Sequence, residues 1–297
     1  MRITNSTALR SSLTELESNR TAIDTLQAQI SSGLRLTRPS DDPVGVSEVM
    51  HSSSSLKALE QYKRNIDSAT ARNSSEGTAL DQLTNILSRA KELAVSQATG
   101  TANAATRKTA AAEMEQLFNS AVALASTKNG NEYLFGGDAV TQAPFTGSGT
   151  GATLDFTSTS PSGSRAVAVS AGQTLVATHD GQQLFGDSGV LAALRDATRA
   201  LQAGDQASIT NAMPSIDSAF DNVQVLQGEQ GARANALDVA SQNMTALKAN
   251  LTAYRSQLQE VDIESAVTEL VTKQTSYQAA MLATSKILGM TLTDYLR

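Results

Sequence analysis

The sequence predicts a mainly α fold: a long antiparallel helical rod and a terminal coiled coil, both formed by the two chain ends, with a small β-rich insert domain in the middle. Three observations carry the prediction. Apolar residues recur at sevens in both flanks, which draws a stripe along a helix that needs a partner. Glycine breaks that pattern in one place, with 11 of the 19 glycines lying between Gly130 and Gly189. Hydrophobic residues make up 40% of the 297 but aromatic residues only 4%, so the chain can bury a core but cannot fill the interior of one aromatic-rich globule.

Leu9, Leu16, Ile23 and Ile30 are spaced by seven, with Leu13, Leu26 and Leu34 beside them, and predict a helix over residues 3–34. Gly33 ends it. In the connection that follows, Pro39 restricts the backbone, Asp42 can cap a new helix, and Pro43 suits that helix's first position. From Val44 to about Ala98 the register runs through Leu59, Ile66, Asn73, Leu80, Leu87 and Ala94, a helix on the order of 80 Å long at about 1.5 Å per residue. Asn73 reads either as a polar residue that sets register or as one tolerated near a bend. After a turn at Thr99-Gly-Thr101, Ala104 to Thr127 is Ala-rich and helical, with Met114, Leu117, Ala121 and Leu124 on one face.

Between Asn131 and Asp187 short alternating pieces such as Thr153–Thr157 and Ala166–Ser170 read as strands joined by tight turns. Tyr133, Phe135, Phe145, Phe156 and Phe185 fall in this stretch and predict a small β core of its own, in a separate lobe. Asp180-Gly181 reads as a hairpin turn. Helix resumes near Val190, breaks at Gly204-Asp205, and runs from Gln206 past Gln257, with Pro214 in its first turns or at a kink. Leu237, Met244, Leu251 and Leu258, with Ala240, Leu247, Tyr254 and Val261 three residues on, give four unbroken heptads. The phase then shifts to Val267, Leu270, Tyr277, Met281 and Leu288, so a break between Val261 and Glu264 divides two helices.

The composition excludes several kinds of function. A net charge of -6, from 23 basic and 29 acidic residues, has the wrong sign for a general nucleic-acid or anionic-membrane binder. The chain has no cysteine, which removes disulfides and thiolate chemistry, and its two histidines, His51 and His179, cannot build a multi-histidine metal centre. No apolar run approaches the roughly 18 residues of a membrane span, and no cleavable secretory signal opens the chain. Ordinary rules then give a cytoplasmic protein, unless a dedicated machine exports it. No His-Glu-x-x-His, P-loop or Gly-x-Ser-x-Gly motif occurs, so neither catalysis nor a cofactor nor a metal is expected. Asp41-Asp42 reads as a helix cap, and both histidines read as surface residues.

Three segments carry a family resemblance. Ile30-Ser-Ser-Gly-Leu-Arg35 followed by Ser40-Asp-Asp-Pro43 resembles the amino-terminal signature of bacterial flagellins and their relatives. Lys91 to Val95 with Thr99 to Thr101 resembles their rod segment, and Asp262 to Leu270 through Tyr277 to Met281 resembles their terminal helix. Tyr133-Leu-Phe-Gly-Gly137 with Pro144-Phe145, the Asp-Pro at 42–43, Asp180 to Gly186 and the closing Leu292 to Leu296 resemble the hook-associated branch more than the filament subunit.

That resemblance implies a structural adaptor without catalysis, in a homo-oligomeric ring of about eleven subunits joining hook to filament. Hook-associated protein 1 would lie on the hook side and flagellin on the filament side. The chain would reach the extracellular flagellum unfolded, by type III export without a cleavable signal, with a cytoplasmic chaperone on its carboxyl-terminal helix. Residues 1–38 and 263–297 would form the inner coiled-coil domain, 39–130 and 189–262 the helical rod domain, and 131–188 the insert. Leu9, Leu16, Ile23, Ile30, Val267, Leu270, Tyr277, Met281 and Leu288 would then serve assembly. Leu59, Ile66, Leu80, Leu87, Leu237, Met244, Leu251, Tyr254 and Leu258 would form the rod core. Gly33, Arg35, Asp41, Asp42, Pro43, Tyr133, Phe135 and Gly136 are the motif positions. The terminal stripes are expected to be mobile in the free chain and to order on assembly. A small flagellin that forms the filament itself is the alternative reading, and an unrelated coiled-coil scaffold is a third.

Overall fold

The computed structural model describes residues 2–99, 102–159, 163 and 165–295, apart from the side chains of residues 2–6, 8, 9 and 287–295. Gly100 and Thr101 of the expected turn, the side chains of Leu9 and Leu288, and Leu296 lie outside the described residues. The helices are α1 (Arg2–Ser32), α2 (Pro43–Gln97), α3 (Ala104–Ala125), α4 (Val190–Ala203), α5 (Gln206–Gln259) and α6 (Ile263–Tyr295). Between α3 and α4 lie β1 (Lys128–Asn129), β2 (Glu132–Tyr133), β3 (Phe145–Ser148), β4 (Asp155–Ser158), β5 (Ala166–Ser170) and β6 (Gln173–Val176). Long helices from both chain ends around a small strand-containing middle are the fold class the heptads predict. The chain divides into two compact units, Met1–Ala58 with Leu247–Arg297, and Leu59–Ala246.

In the second unit α2 and α5 run antiparallel, since residues rising along one meet residues falling along the other. The Asn73 side-chain amide donates to the Gln230 carbonyl at 3.4 Å and the Gln230 amide donates back to the Asn73 carbonyl at 3.1 Å. Gln227 donates to Asp81 at 3.0 Å, and Lys91 pairs with Asp217 at 2.7 Å. Asn73 is buried, and this reciprocal pair fixes the level at which the helices meet, the register role a polar seam residue can take.

The helices share one core. Leu80, Leu83 and Leu87 of α2 join Met114, Phe118 and Ala121 of α3, Leu191 and Leu194 of α4, and Ile216 and Val223 of α5. The face of α3 that enters is centred on Ala110, Ala111, Met114, Phe118, Ala121 and Ala125, so Leu117 and Leu124 lie at its margin, only partly buried. An Asn103–Thr106 capping box closes the start of α3, and the Arg107 guanidinium ties it to the end of α4 by donating to the Gly204 carbonyl at 2.7 Å.

The strands form three separate antiparallel pairs, β1 with β2, β3 with β4, and β5 with β6. An isolated two-stranded pair cannot bury enough to stand alone. The expectation of a separate β core is therefore corrected: Phe135, Phe145, Leu154 and Phe185 are buried in the helical core. Their rings interlock, Phe135 on Phe185 at 5.3 Å, Phe145 on Phe185 at 5.9 Å, and Phe118 of α3 near Phe156 at 6.4 Å. The hairpin expected at Asp180-Gly181 is also corrected. Asp180 accepts from the Gln183 N–H at 2.8 Å and opens a π-helical turn over Gln182–Asp187, which carries Leu184 and Phe185 inward.

In the first unit α1 and α6 pack along one another, with Leu26 and Ala266 buried. The break before α6 falls at Glu260–Asp262, where Asp262 accepts from the Glu264 N–H at 3.1 Å and caps the helix.

Candidate assembly site

The motif at the end of α1 builds a clasp between the two chain halves. Gly33, at φ +72°, takes the left-handed conformation that closes a helix, and its N–H bonds back to Gln29 at 2.8 Å. The next residue, Leu34, forms an antiparallel bridge with Glu260. The Arg35 N–H donates to the Gln259 carbonyl at 2.7 Å, the Val261 N–H donates to the Gly33 carbonyl at 3.0 Å, and the Arg35 guanidinium donates to the Leu258 carbonyl at 2.9 Å. Arg35 thus satisfies two of the carbonyls left unpaired at the end of α5.

Asp41 and Asp42 shape the connection into α2. Asp41 accepts from the Arg38 N–H at 2.9 Å and from the N–H and hydroxyl of Thr37 at 3.3 Å. The Arg38 N–H above all, helped by Thr37, holds the Asp41 carboxyl below the usual carboxylate range. Asp42 accepts from the N–H groups of Val44 and Gly45 at 3.1 and 2.9 Å, and Pro43 is the first helical residue. The two carboxylates therefore cap backbone and are not aimed at one another for acid-base work.

The α1 and α6 pair leaves apolar surface open. Leu16, Ile23, Ile30, Leu270 and Tyr277 are half-buried, whereas Val267 is 42% and Met281 48% exposed. Leu13, Ile263, Val271 and Leu282 are exposed as well. Two helices can cover only one strip on each other, and these residues lie beyond it. Of the residues expected in the rod core, Leu59, Ile66, Leu80, Leu87, Leu237 and Met244 are buried, and Leu251 and Leu258 are half-buried. Tyr254 is a correction, since it is exposed. Leu247, at the same heptad position, is exposed too, whereas Leu237 and Met244 at the other position are buried, so in these heptads one strip of α5 is covered and the neighbouring one is open.

At the other motif the Tyr133 N–H donates to the Val140 carbonyl at 2.8 Å and Lys128 sits 4.7 Å over the Tyr133 ring. A Cβ at Gly136 would come within 2.9 Å of the Ala139 carbonyl oxygen. The turn needs that close approach, and it delivers Phe135 into the core.

Residues 3–140 match the bacterial flagellin N-terminal helical region, and residues 213–296 match the bacterial flagellin C-terminal helical region. The chain belongs to the flagellin superfamily. Within the superfamily its likeness is to hook-associated protein 3, FlgL. The flagellar hook-associated protein 3 of Escherichia coli (strain K12) is 25% identical over 292 residues, covering 89% of this chain and 90% of that protein. A putative flagellar hook-associated protein from Vibrio parahaemolyticus shares the fold at a TM-score of 0.67 and 20% identity, over 74% of this chain and 100% of that one. FlgL of Bacillus cereus does so at 0.58 and 22%, over 69% and 99%. The clasp residues 33–43 lie inside the amino-terminal match, and the exposed face of α6 lies inside the carboxyl-terminal match. This is a family of flagellar structural proteins, and among the described residues no helix is long and apolar enough to cross a membrane.

One cluster in this flagellin-superfamily chain escapes sequence reasoning. His51 is exposed as expected, but His179 is not a surface residue, being only 3% exposed. Its Nδ1 meets Glu76 of α2 in a short hydrogen bond, its Nε2 lies 2.8 Å from Glu229 of α5, and its backbone N–H donates to Glu76 at 3.1 Å. Burial disfavours the charged ring, but the hydrogen bonds to Glu76 and Glu229 outweigh it and hold the His179 pKa above its ordinary value. Contact with His179 in turn lowers that of Glu229. The partners stand 103 and 50 residues away in sequence, and no local pattern joins them.

Proposed function

We propose that this chain is the adaptor subunit joining the flagellar hook to its filament, in a ring of about eleven copies. Hook-associated protein 1 meets the ring on the hook side and flagellin on the filament side. Residues 1–38 and 263–297 pair as its inner coiled coil, 39–130 and 189–262 form the outer helical part, and 131–188 face outward. Leu9, Leu16, Ile23, Ile30, Val267, Leu270, Tyr277, Met281 and Leu288 supply the assembly contacts. The chain leaves the cell unfolded by type III export, with a chaperone on α6 before export.

The observation that carries this reading is the open apolar surface of the α1 and α6 pair, with Val267, Val271, Met281 and Leu282 exposed on a single helix. Exposed apolar side chains gathered on one helix face mark an interface. Neighbouring copies that cover it would stabilise the terminal helices by mass action. The clasp supports the same reading, because it binds both halves of the pair to one fixed turn. Gold-labelled antibody in electron microscopy tests it. Label confined to a short band where hook meets filament is the expected result. Label along the whole filament would instead make the chain a small flagellin.

A further inference from the structure

The buried cluster at His179 has no part in the assembly surface, yet both of its ring nitrogens face carboxylate oxygens. A neutral imidazole carries one N–H and one lone pair. One nitrogen would then set its lone pair against an oxygen of Glu76 or Glu229, and an ionised carboxylate accepts but cannot donate. With both carboxylates ionised, only the doubly protonated ring satisfies both contacts. The charged groups around the ring tell the same story. Glu76 comes from α2, with its side chain 0% exposed, and Glu229 comes from α5 with Arg233, which lies 3.6 Å from Glu229. Asp187 lines the same cavity of about 280 Å³ as His179 and Glu229, but its carboxylate accepts from the Gln182 amide at 2.9 Å. Asp180, beside the ring in sequence, is occupied by the Gln183 N–H. The inner set is therefore two carboxylates, one guanidinium and the ring. It balances in charge only with an imidazolium, and an unpaired buried carboxylate is strongly destabilising.

We propose that His179 is a proton-dependent latch: with both ring nitrogens protonated it ties the turn between β6 and α4 to α2 and α5, and loss of one proton as pH rises releases that turn. The raised pKa agrees in direction. A folded value above the ordinary 6.5 means the contribution is fully present below about 6.5 and is lost as pH rises through the folded value.

The chain has only two histidines, so nitrogen-15 histidine spectra of the full chain give two sets of signals, with exposed His51 as the reference. At neutral pH His179 should show both nitrogens protonated. Amide hydrogen exchange at residues 177–189, corrected for the intrinsic rise with pH, should show constant protection below about pH 6.5. Above it, protection should fall by up to about tenfold per pH unit until the ring has titrated. Glu229→Gln removes one carboxylate at the exposed end and should move the ring titration and the loss of protection together to lower pH. His179→Gln should abolish the pH dependence, and if it fails to fold, Glu229→Gln alone still decides. A neutral ring at neutral pH would overturn the latch. So would protection unchanged across the titration, or a Glu229→Gln chain whose ring titration moves while its loss of protection does not.

Discussion

Met281→Asp should abolish assembly while sparing the free chain. Met281 is 48% exposed in the α1 and α6 pair, so about half of the roughly 1.5–3 kcal/mol available from burying a methionine is still to be gained. A neighbouring subunit that covers it gains on the order of 1 kcal/mol. Aspartate forfeits that gain and brings a carboxylate without a partner into the contact, at about 3–5 kcal/mol. A total of about 4–6 kcal/mol is roughly a thousandfold to ten-thousandfold in the association constant at each contact. In the free chain the aspartate can stay solvated, and its cost is the half of the methionine already buried, about 1 kcal/mol, plus about 0.5 kcal/mol of helix propensity. Leu87→Ala is the mirror case, because Leu87 is fully buried among α3, α4 and α5 and its truncation costs about 2–5 kcal/mol in the free chain. Circular dichroism melts and sedimentation of both variants decide. The expected pattern is a Met281→Asp chain that melts only slightly below the parent but does not assemble, beside a Leu87→Ala chain with a clearly lowered melting temperature. Global unfolding of Met281→Asp, or its normal assembly, would refute the division between assembly face and core.

Gly33→Ala places a side chain at φ +72° and should cost about 1–2 kcal/mol, read as a lower melting temperature and faster amide exchange at Leu34 and Val261. Asp42→Ala removes the cap over Val44 and Gly45 and should cost about 0.5–2 kcal/mol, seen as faster exchange confined to the first turn of α2. Phe185→Ala removes the ring that links Phe135 and Phe145 and should cost about 3–5 kcal/mol, lowering the melting temperature far more than any change at an exposed hairpin residue.

The parts of this structure that were legible in the sequence are those specified by local pattern. Sevenfold spacing marks α1, α2, α5 and α6, and Gly33, Asp42-Pro43, Gly204-Asp205 and the phase shift between Val261 and Glu264 mark their ends, because a helix advertises its apolar stripe and its boundaries within a few residues. The clasp was legible only in part. Gly33, Arg35, Asp41 and Asp42 stand out as a motif, but their partners Leu258 to Val261 lie more than 200 residues on, and backbone carbonyls leave no trace in side-chain type. Tyr254 shows the opposite failure, since its heptad is continuous but only the strip of Leu237 and Met244 is covered, while its own, shared with Leu247, is open. The aromatic residues of the middle segment read as a core of their own because sequence shows their density but not that two-stranded hairpins need a neighbour's surface. His179 was unreadable for a similar reason: beside Asp-Gly it looks like a turn residue, and only the fold brings Glu76 and Glu229 to its ring.

The most direct test is complementation of a strain lacking this chain, with flagellin measured in the medium. The account predicts that the deletion strain builds hooks but sheds flagellin, that the parent chain restores attached filaments, and that Met281→Asp, although folded and exported, does not. Filaments attached normally without the chain, or restored by Met281→Asp, would contradict it.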